Sequence, residues 1–237
     1  MLQTMGGNPK NFNKLDLKRL PSPCFVIDKI ALQNNLEILF ELKKETNIKI
    51  LIALKAFSTF SLANLISEYL DGSCCSGLYE AKLANKYFKG EISTYSPAFK
   101  KDEFDEISKI SDHIIFNSFN QINTFYDISK KFNNEVGIRI NPLYSEVEIN
   151  KYSSAGISSR LGVHLRDLIN YDIEKIDGIH FHSLCEQNFK PLENTWNQLK
   201  NSLEAKIDII IKEELNTLIS DRISLSELSL KSKVLKN

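Results

Sequence analysis

Residues Ile48–Phe57, which read IKILIALKAF, are the most informative run in the chain. Apolar residues dominate it, so it predicts a buried β-strand that ends near Lys55. An amine desolvated at the end of such a strand has a lowered pKa and can form a Schiff base with an aldehyde. A lysine in this position can also extend its amine to water without any chemical role. The rest of the chain favours the first interpretation.

A unit of roughly 22 residues repeats from this strand onward, each unit a β-rich run followed by an amphipathic stretch with helical spacing. The runs predict six strands, at 48–55, 70–76, 91–96, 113–118, 135–141 and 176–182. Helices are predicted at 30–45, before the first strand, and at 78–87, 101–110 and 119–132 between strands. Helical crossovers of this kind connect parallel strands. We therefore expect an α/β protein, and equal units suit a barrel better than a doubly wound sheet.

Polar residues lie at the carboxyl ends of the predicted strands. They are Lys55, Ser76, Ser96, Asn117 with Ser118, Arg139 with Asn141, and His180 with His182. In a (β/α)8 barrel the carboxyl ends of the strands form one face, and that face carries the chemistry. Polar residues often mark strand exits, which accounts for the serines and Asn117. A lysine, an arginine and two histidines in apolar runs instead indicate a site.

Seven short motifs occur in order along the chain. They read PSPCFVID at 21–28, ALKAF at 53–57, TYSPAFK at 94–100, FNS at 116–118, RINP at 139–142, SRLGV at 159–163 and HFHSLCEQ at 180–187. Together they resemble the carboxynorspermidine (carboxyspermidine) decarboxylases. That family belongs to the alanine racemase-like, pyridoxal-phosphate-dependent group, which also holds diaminopimelate, arginine and ornithine decarboxylases. The resemblance covers about residues 20 to 195, and its ordered motifs are specific only in combination.

The resemblance implies roles for particular residues. Lys55 matches the lysine that holds pyridoxal phosphate covalently, and His182 matches the histidine whose ring stacks on the cofactor. Arg139 matches an arginine beside the phenolic oxygen of the cofactor, where a fixed cation keeps that oxygen ionised. Lys55 and His182 are thus the implied catalytic residues. Further cofactor contacts are implied for Ser76, Glu80 and Cys185, the last where relatives often have a phosphate-contacting serine.

The implied reaction is α-decarboxylation of carboxynorspermidine or carboxyspermidine to norspermidine or spermidine, a step of polyamine biosynthesis. Pyridoxal 5'-phosphate is the implied cofactor, and the family forms homodimers. Family members continue with a glycine-rich phosphate loop after the seventh strand, a glutamate on the eighth and a C-terminal β-domain. This sequence has no glycine after Gly178. A phosphate cradle depends on glycine, so we expect the usual cradle to be missing. Because the family motifs also end near residue 195, we expect a partial (β/α)8 TIM-type barrel with about six of eight strands and no β-domain.

Three domains are expected. Residues 1–28 form an arm and an early strand, at Phe25–Ile27, that would join the missing β-domain. Residues 29–200 form the incomplete barrel that binds the cofactor, with a long insertion at 143–172 that closes over its mouth. Residues 201–237 form a divergent tail, in which a helix predicted at 192–218 is followed by a short helix or a disordered end.

Composition predicts a cytoplasmic protein. Thirty Lys and Arg residues balance thirty Asp and Glu residues, so no charge excess favours nucleic acid or a membrane surface. No apolar run approaches the roughly 20 residues that span a bilayer. The cysteines, Cys24, Cys74, Cys75 and Cys185, lack the spacing of metal ligands or of a disulfide framework. No metal is expected at His180 and His182, because no third ligand accompanies them.

Three functions remain open from the sequence. The first is the decarboxylase that the motifs imply. The second is a truncated, catalytically inactive remnant that folds without turnover. The third is a single-domain carrier of pyridoxal phosphate, which the absence of late glycines disfavours.

Overall fold

The computed structural model describes residues 8–147, 153–168, 171–184, 187 and 189–204. These residues contain seven parallel strands: β1 Leu51–Ala53, β2 Gly72–Cys75, β3 Glu91–Tyr95, β4 His113–Phe116, β5 Glu135–Asn141, β6 Val163–His164 and β7 Gly178–His180. The α-helices are α1 Lys29–Thr46, α2 Ala63–Ser67, α3 Leu78–Tyr87, α4 Lys101–Ile110, α5 Phe119–Lys131, α6 Leu165–Leu168 and α7 Phe189–Glu204. Short 3-10 turns lie at Pro9–Phe12, Leu17–Arg19, Phe60–Leu62 and Ile173–Lys175.

The strands pair in the order in which they occur along the chain. Each of β1 to β5 pairs in parallel with the next, and β7 pairs with β5 along Gly137 to Arg139. β6 adds a two-residue pairing at the end of β5, between Ile140 and Val163 and between Asn141 and His164. When each new strand is added on the same side of the previous one, the right-handed crossovers place all helices on one face of the sheet. This arrangement is found in barrels and differs from that of a doubly wound sheet.

Helices and strands share two apolar clusters on the outer face of the sheet. The first joins α1, α2 and α3 to β1 and β2, with Leu36, Leu39 and Ile66 almost fully buried. The second joins α4, α5 and α7 to β4 and β5. At its centre the rings of Phe104 and Phe125 stack at 4.1 Å between centroids. This burial on one side of each strand holds the helices against the sheet.

The inner face of β5 carries small and polar side chains. Val136, Ile138 and Ile140 of β5 belong to the outer cluster, so strand alternation directs Gly137, Arg139 and Asn141 inward. A Cβ atom at Gly137 would lie 2.4 Å from the Cδ1 atom of Ile115. The inner face is therefore tightly packed below the level of Arg139.

An aspartate precedes each of β2, β4 and β7, at the amino ends of the strands. In each case a side-chain oxygen of the aspartate accepts a hydrogen bond from a backbone N–H near the start of the neighbouring strand. The pairs are Asp71 with Ile50 (2.8 Å), Asp112 with Ile92 (2.8 Å) and Asp177 with Val136 (2.7 Å). Lys43 and Lys130 pair with Asp71 and Asp177 at 2.8 and 2.6 Å. This repeated contact fixes strand register at the end of the sheet opposite the strand exits.

The predicted α/β barrel segment with six main strands is confirmed, and α3 and α4 begin and end where the sequence predicts. Three expectations are corrected. No strand forms at Phe25–Ile27, where Phe25 is 100% exposed. The insertion at 143–172 contains β6 and α6, which the sequence did not predict. β1 is shorter than expected because only Leu51, Ile52 and Ala53 pair with β2. The tail beyond Glu204 lies outside the described residues.

Candidate active site

The carboxyl ends of β1, β2 and β3 surround a small cavity. Its lining residues are Ala53, Lys55, Cys74, Cys75, Ser76 and Tyr95. Parallel strands bring their ends to one edge, so Lys55 and Ser76, which are 21 positions apart in the numbering, line the same space. The predicted meeting of polar strand ends is therefore observed for these residues.

Lys55 lies in a turn and not at the buried end of a strand. β1 ends at Ala53, and the backbone N–H groups of Ala56 and Phe57 both donate to the Ala53 carbonyl, at 3.0 and 3.1 Å. The Lys55 side chain is exposed, so the expectation that an apolar strand desolvates this amine is wrong. The turn instead presents the amine to the cavity from its rim.

Ser76 and Glu80 act together at the start of α3. The backbone N–H of Ser76 donates to the Oε2 atom of Glu80 at 2.7 Å, across the first turn of the helix. A carboxylate in the first turn also interacts favourably with the helix dipole. Glu80 therefore holds the backbone of Ser76 at the cavity, and the Ser76 side chain stays exposed.

Arg139 is a buried cation near the end of β5. Its side chain belongs to a residue that is only 4% exposed. The Nη2 atom donates to the His182 carbonyl at 3.4 Å, and the guanidinium carbon lies 4.9 Å from the centre of the Tyr95 ring. Among the described residues, no carboxylate forms an ion pair with this guanidinium. A buried cation without a carboxylate partner is costly, which favours binding of an anion nearby.

Tyr95 connects the cavity to Arg139. It lines the cavity beside Lys55, faces the Arg139 guanidinium and lies 5.4 Å from the His180 ring between centroids. The Tyr95 hydroxyl donates to the Oδ1 atom of Asn117 at 2.9 Å. Sequence reasoning gave Tyr95 no role, although its place at the end of an alternating strand was a usable signal.

His182 lies two residues beyond β7 and is partly buried, and its carbonyl accepts hydrogen bonds from Arg139 and from the Ser154 hydroxyl. The structure thus brings His182 next to Arg139 and brings Lys55 next to Ser76. Cys185, the remaining predicted contact, lies outside the described residues. Within the described parts of the chain, no three His, Cys, Asp or Glu side chains are grouped as metal ligands. No disulfide joins Cys24, Cys74 and Cys75.

Comparison with known proteins identifies relatives for about three quarters of the chain. A carboxynorspermidine/carboxyspermidine decarboxylase of Campylobacter jejuni subsp. jejuni serotype O:6 (strain 81116 / NCTC 11828) is 40% identical over 176 residues, which are 74% of this chain and 46% of that protein. A carboxyaminopropylagmatine decarboxylase of Synechocystis sp. (strain ATCC 27184 / PCC 6803 / Kazusa) is 36% identical over 184 residues, 78% of this chain and 48% of that protein. No family model matches the chain.

Solved structures agree with this result. Carboxynorspermidine decarboxylase from Campylobacter jejuni, crystallised with norspermidine, superposes with a TM-score of 0.71 at 36% identity, over 78% of this chain and 47% of that one. Diaminopimelate decarboxylase from Helicobacter pylori, crystallised with L-lysine, gives a TM-score of 0.62 at 19% identity, over 73% of this chain and 48% of that one. The second match supports the fold alone.

The described residues form part of the α/β barrel that also occurs in carboxynorspermidine decarboxylase and diaminopimelate decarboxylase. Within this class of decarboxylases the chain is a homologue of the carboxynorspermidine/carboxyspermidine decarboxylases, and the resemblance that the motifs indicated is confirmed. The chain spans about half the length of the curated relatives that it matches. No described helix is long and apolar enough to cross a membrane.

Proposed function

We propose that this chain binds pyridoxal 5'-phosphate at the strand ends and serves the decarboxylation of carboxynorspermidine or carboxyspermidine. The observation that carries the proposal is Arg139, a buried guanidinium at the site with no carboxylate partner among the described residues. Lys55 lines the adjoining cavity, and its side chain supplies an amine that can react with an aldehyde. An anionic aldehyde is the kind of ligand that this pair of groups fits.

The charges of the site support an anion. A guanidinium removed from water loses several kcal/mol of hydration, and the contacts of Arg139 with one carbonyl and one aromatic ring restore only part of this. A phenolic oxygen held as an anion beside Arg139 would restore the rest. The described residues therefore fit the ring portion of pyridoxal phosphate. Residues that would hold its phosphate, including Cys185, are expected outside the described part.

Each residue has a proposed task. Lys55 is the amine that would hold the ligand at the cavity through its aldehyde carbon, with loss of water. Arg139 would keep the phenolic oxygen ionised, and His182 would support the ring. Ser76, with its backbone held by Glu80, borders the same cavity and orients the ligand. Bound pyridoxal phosphate supplies an electron sink that stabilises the negative charge left when carbon dioxide departs.

The substrate proposal follows from the relatives. The Campylobacter relative is a carboxynorspermidine/carboxyspermidine decarboxylase, and a structure from that genus contains norspermidine. The Synechocystis relative is a carboxyaminopropylagmatine decarboxylase and has similar identity to this chain. Carboxylated polyamines are therefore the substrate class that we propose. We also propose that the enzyme is cytoplasmic and acts as a homodimer, as the family resemblance implies.

Trapping of the cofactor tests the binding step. Purified protein is incubated with pyridoxal phosphate and reduced with borohydride, and the labelled peptide is then mapped. The expected label is on Lys55 and is lost in Lys55→Ala. Lys49→Ala is the matched control, because Lys49 belongs to the same apolar run but pairs with Glu91 at the opposite end of the sheet. Labelling of many surface lysines, with none preferred, would refute the proposal.

Turnover separates the remaining alternatives. Release of carbon dioxide from carboxynorspermidine, dependent on Lys55, is the expected result. Specific labelling of Lys55 without carbon dioxide release would instead support a cofactor carrier. A folded chain that shows neither labelling of Lys55 nor release of carbon dioxide would support an inactive remnant.

A further inference from the structure

The side chain that links the two halves of the candidate site is Tyr95. Its ring packs between the Lys55 cavity and the Arg139 guanidinium, which lies 4.9 Å from the ring centre. The Arg139 guanidinium makes one hydrogen bond among the described residues, and that bond is long, at 3.4 Å. The Tyr95 ring is therefore a principal contact that determines where the guanidinium lies.

Asn117, at the exit of β4, holds Tyr95 in this orientation. Its Oδ1 atom accepts both the Tyr95 hydroxyl at 2.9 Å and the backbone N–H of Gly162 at 2.7 Å. Its Nδ2 atom donates to the Arg160 carbonyl at 3.0 Å. The amide of one side chain therefore joins β3 to the segment that precedes β6.

Residues 154–162, here called the strap, are attached to the strand ends at further points. The Asn141 side chain donates to the Gly156 carbonyl at 3.0 Å, and the Ser154 hydroxyl donates to the His182 carbonyl. Gly162 has a φ of +83°, and a Cβ atom there would lie 2.9 Å from the Arg139 carbonyl oxygen. The strap is thus fixed directly against the backbone of β5 beside Arg139.

We propose that Tyr95 is a positioning residue for Arg139 and that Asn117 couples its orientation to the strap. This inference rests on the proposed function, because it assumes that Arg139 stabilises an anionic ligand. The Tyr95 hydroxyl donates to Asn117, and we assign the residue a contribution to orientation. Removing the ring leaves the guanidinium with only its long bond to the His182 carbonyl.

Binding of 4'-deoxypyridoxine 5'-phosphate tests the proposal without turnover, because this analogue has no aldehyde and cannot bond to Lys55. Its dissociation constant is measured by calorimetry, and its near-ultraviolet band reports whether the phenolic oxygen is ionised. Tyr95→Leu should weaken binding about tenfold, or ~1.4 kcal/mol, and lower the ionised fraction at fixed pH. Tyr95→Phe keeps the ring but loses the bond to Asn117, so it should weaken binding about threefold.

Tyr126→Leu is the matched control. The Tyr126 ring also faces two cations, Lys130 at 5.8 Å and Lys175 at 5.6 Å, but it lies on α5 away from the cavity. This variant should bind the analogue as the unmodified chain does, with the same band.

The outcomes separate the two proposals. If the unmodified chain binds no analogue and Lys55 is not labelled by pyridoxal phosphate, the proposed function fails. If it binds and Tyr95→Leu binds equally well with an unchanged band, only the positioning role fails. If Tyr95→Leu does not fold, Tyr95→Phe decides, since unchanged affinity and band there would overturn the coupling through Asn117.

Discussion

Replacing Arg139 with methionine should make the ligand-free protein more stable and the ligand-bound protein less stable. The guanidinium is buried at the strand ends, where it contacts the Tyr95 ring and the His182 carbonyl. Methionine has a similar length, no charge and a flexible chain that fills irregular space. The change therefore removes the charge and keeps most of the packing.

The magnitude follows from the contacts of Arg139. Burial of the cation costs several kcal/mol, while a cation–π contact contributes up to about 2 kcal/mol and a hydrogen bond from a charged group about 1.5 kcal/mol at most for so long a bond. We expect the free energy of unfolding of the ligand-free chain to rise by roughly 1 kcal/mol in Arg139→Met. For a chain of this size that raises the melting temperature by about 2–4 °C.

Ligand binding should reverse the order of stability. At a pyridoxal phosphate concentration of 100 times its dissociation constant, the unmodified chain gains about 2.7 kcal/mol. A variant that binds about a hundredfold more weakly gains only about 0.4 kcal/mol at that concentration. The unmodified chain should then be the more stable of the two by about 1 kcal/mol. Urea denaturation with and without the ligand measures all four values.

A structural role for Arg139 predicts a different pattern. Arg139→Met would then lose stability to the same extent with and without ligand, and its affinity for pyridoxal phosphate would not change. That result would refute the assignment of an anion to this guanidinium. Arg139→Lys keeps the charge without the planar geometry and should bind the ligand more tightly than Arg139→Met does.

Two further predictions concern the scaffold. Asp177→Ala removes the acceptor for the Val136 N–H and the partner of Lys130, so it should lower the free energy of unfolding by about 1–2 kcal/mol in urea denaturation. Asp28 caps α1 by accepting the N–H of Ala31, which holds its pKa below the ordinary value. A lowered folded-state pKa stabilises the protein above the unfolded-state value and loses this effect on acidification. Asp28→Asn should therefore make stability fall less steeply below about pH 4, measured by circular dichroism.

Both scaffold predictions have controls. Asp167→Ala removes an exposed aspartate that forms a long ion pair, at 3.7 Å, with the exposed Arg166, and it should leave stability nearly unchanged. If Asp167→Ala and Asp177→Ala lowered the free energy of unfolding equally, the contact of Asp177 at the start of β5 would not contribute to stability. For Asp28, an acid profile unchanged by the asparagine would mean that the cap does not titrate in this range.

Helix bounds were predictable where periodicity was strong. The sequence predicts 78–87 and 101–110, and α3 and α4 occupy those ranges, because apolar spacing of 3.6 is a local property of the sequence. Strand ends were less predictable. The apolar run around Lys55 continues past Ala53, but the chain turns there once pairing with β2 ends. β6 was missed because two residues show no periodicity and depend on the close approach of Gly162 to β5.

The sequence alone indicated that strands and helices alternate and that polar residues, among them Lys55, Arg139 and His182, lie at or just beyond the strand ends. Which of these residues meet depends on the tertiary structure. Tyr95 bonds to Asn117 across 22 positions, and Asn117 bonds to Gly162 across 45. Such contacts depend on strand register and on loops that close over long separations, which no local pattern encodes. The burial of Arg139 beside Tyr95, and the exposure of Lys55 in a turn, follow from that register and from where the strands end.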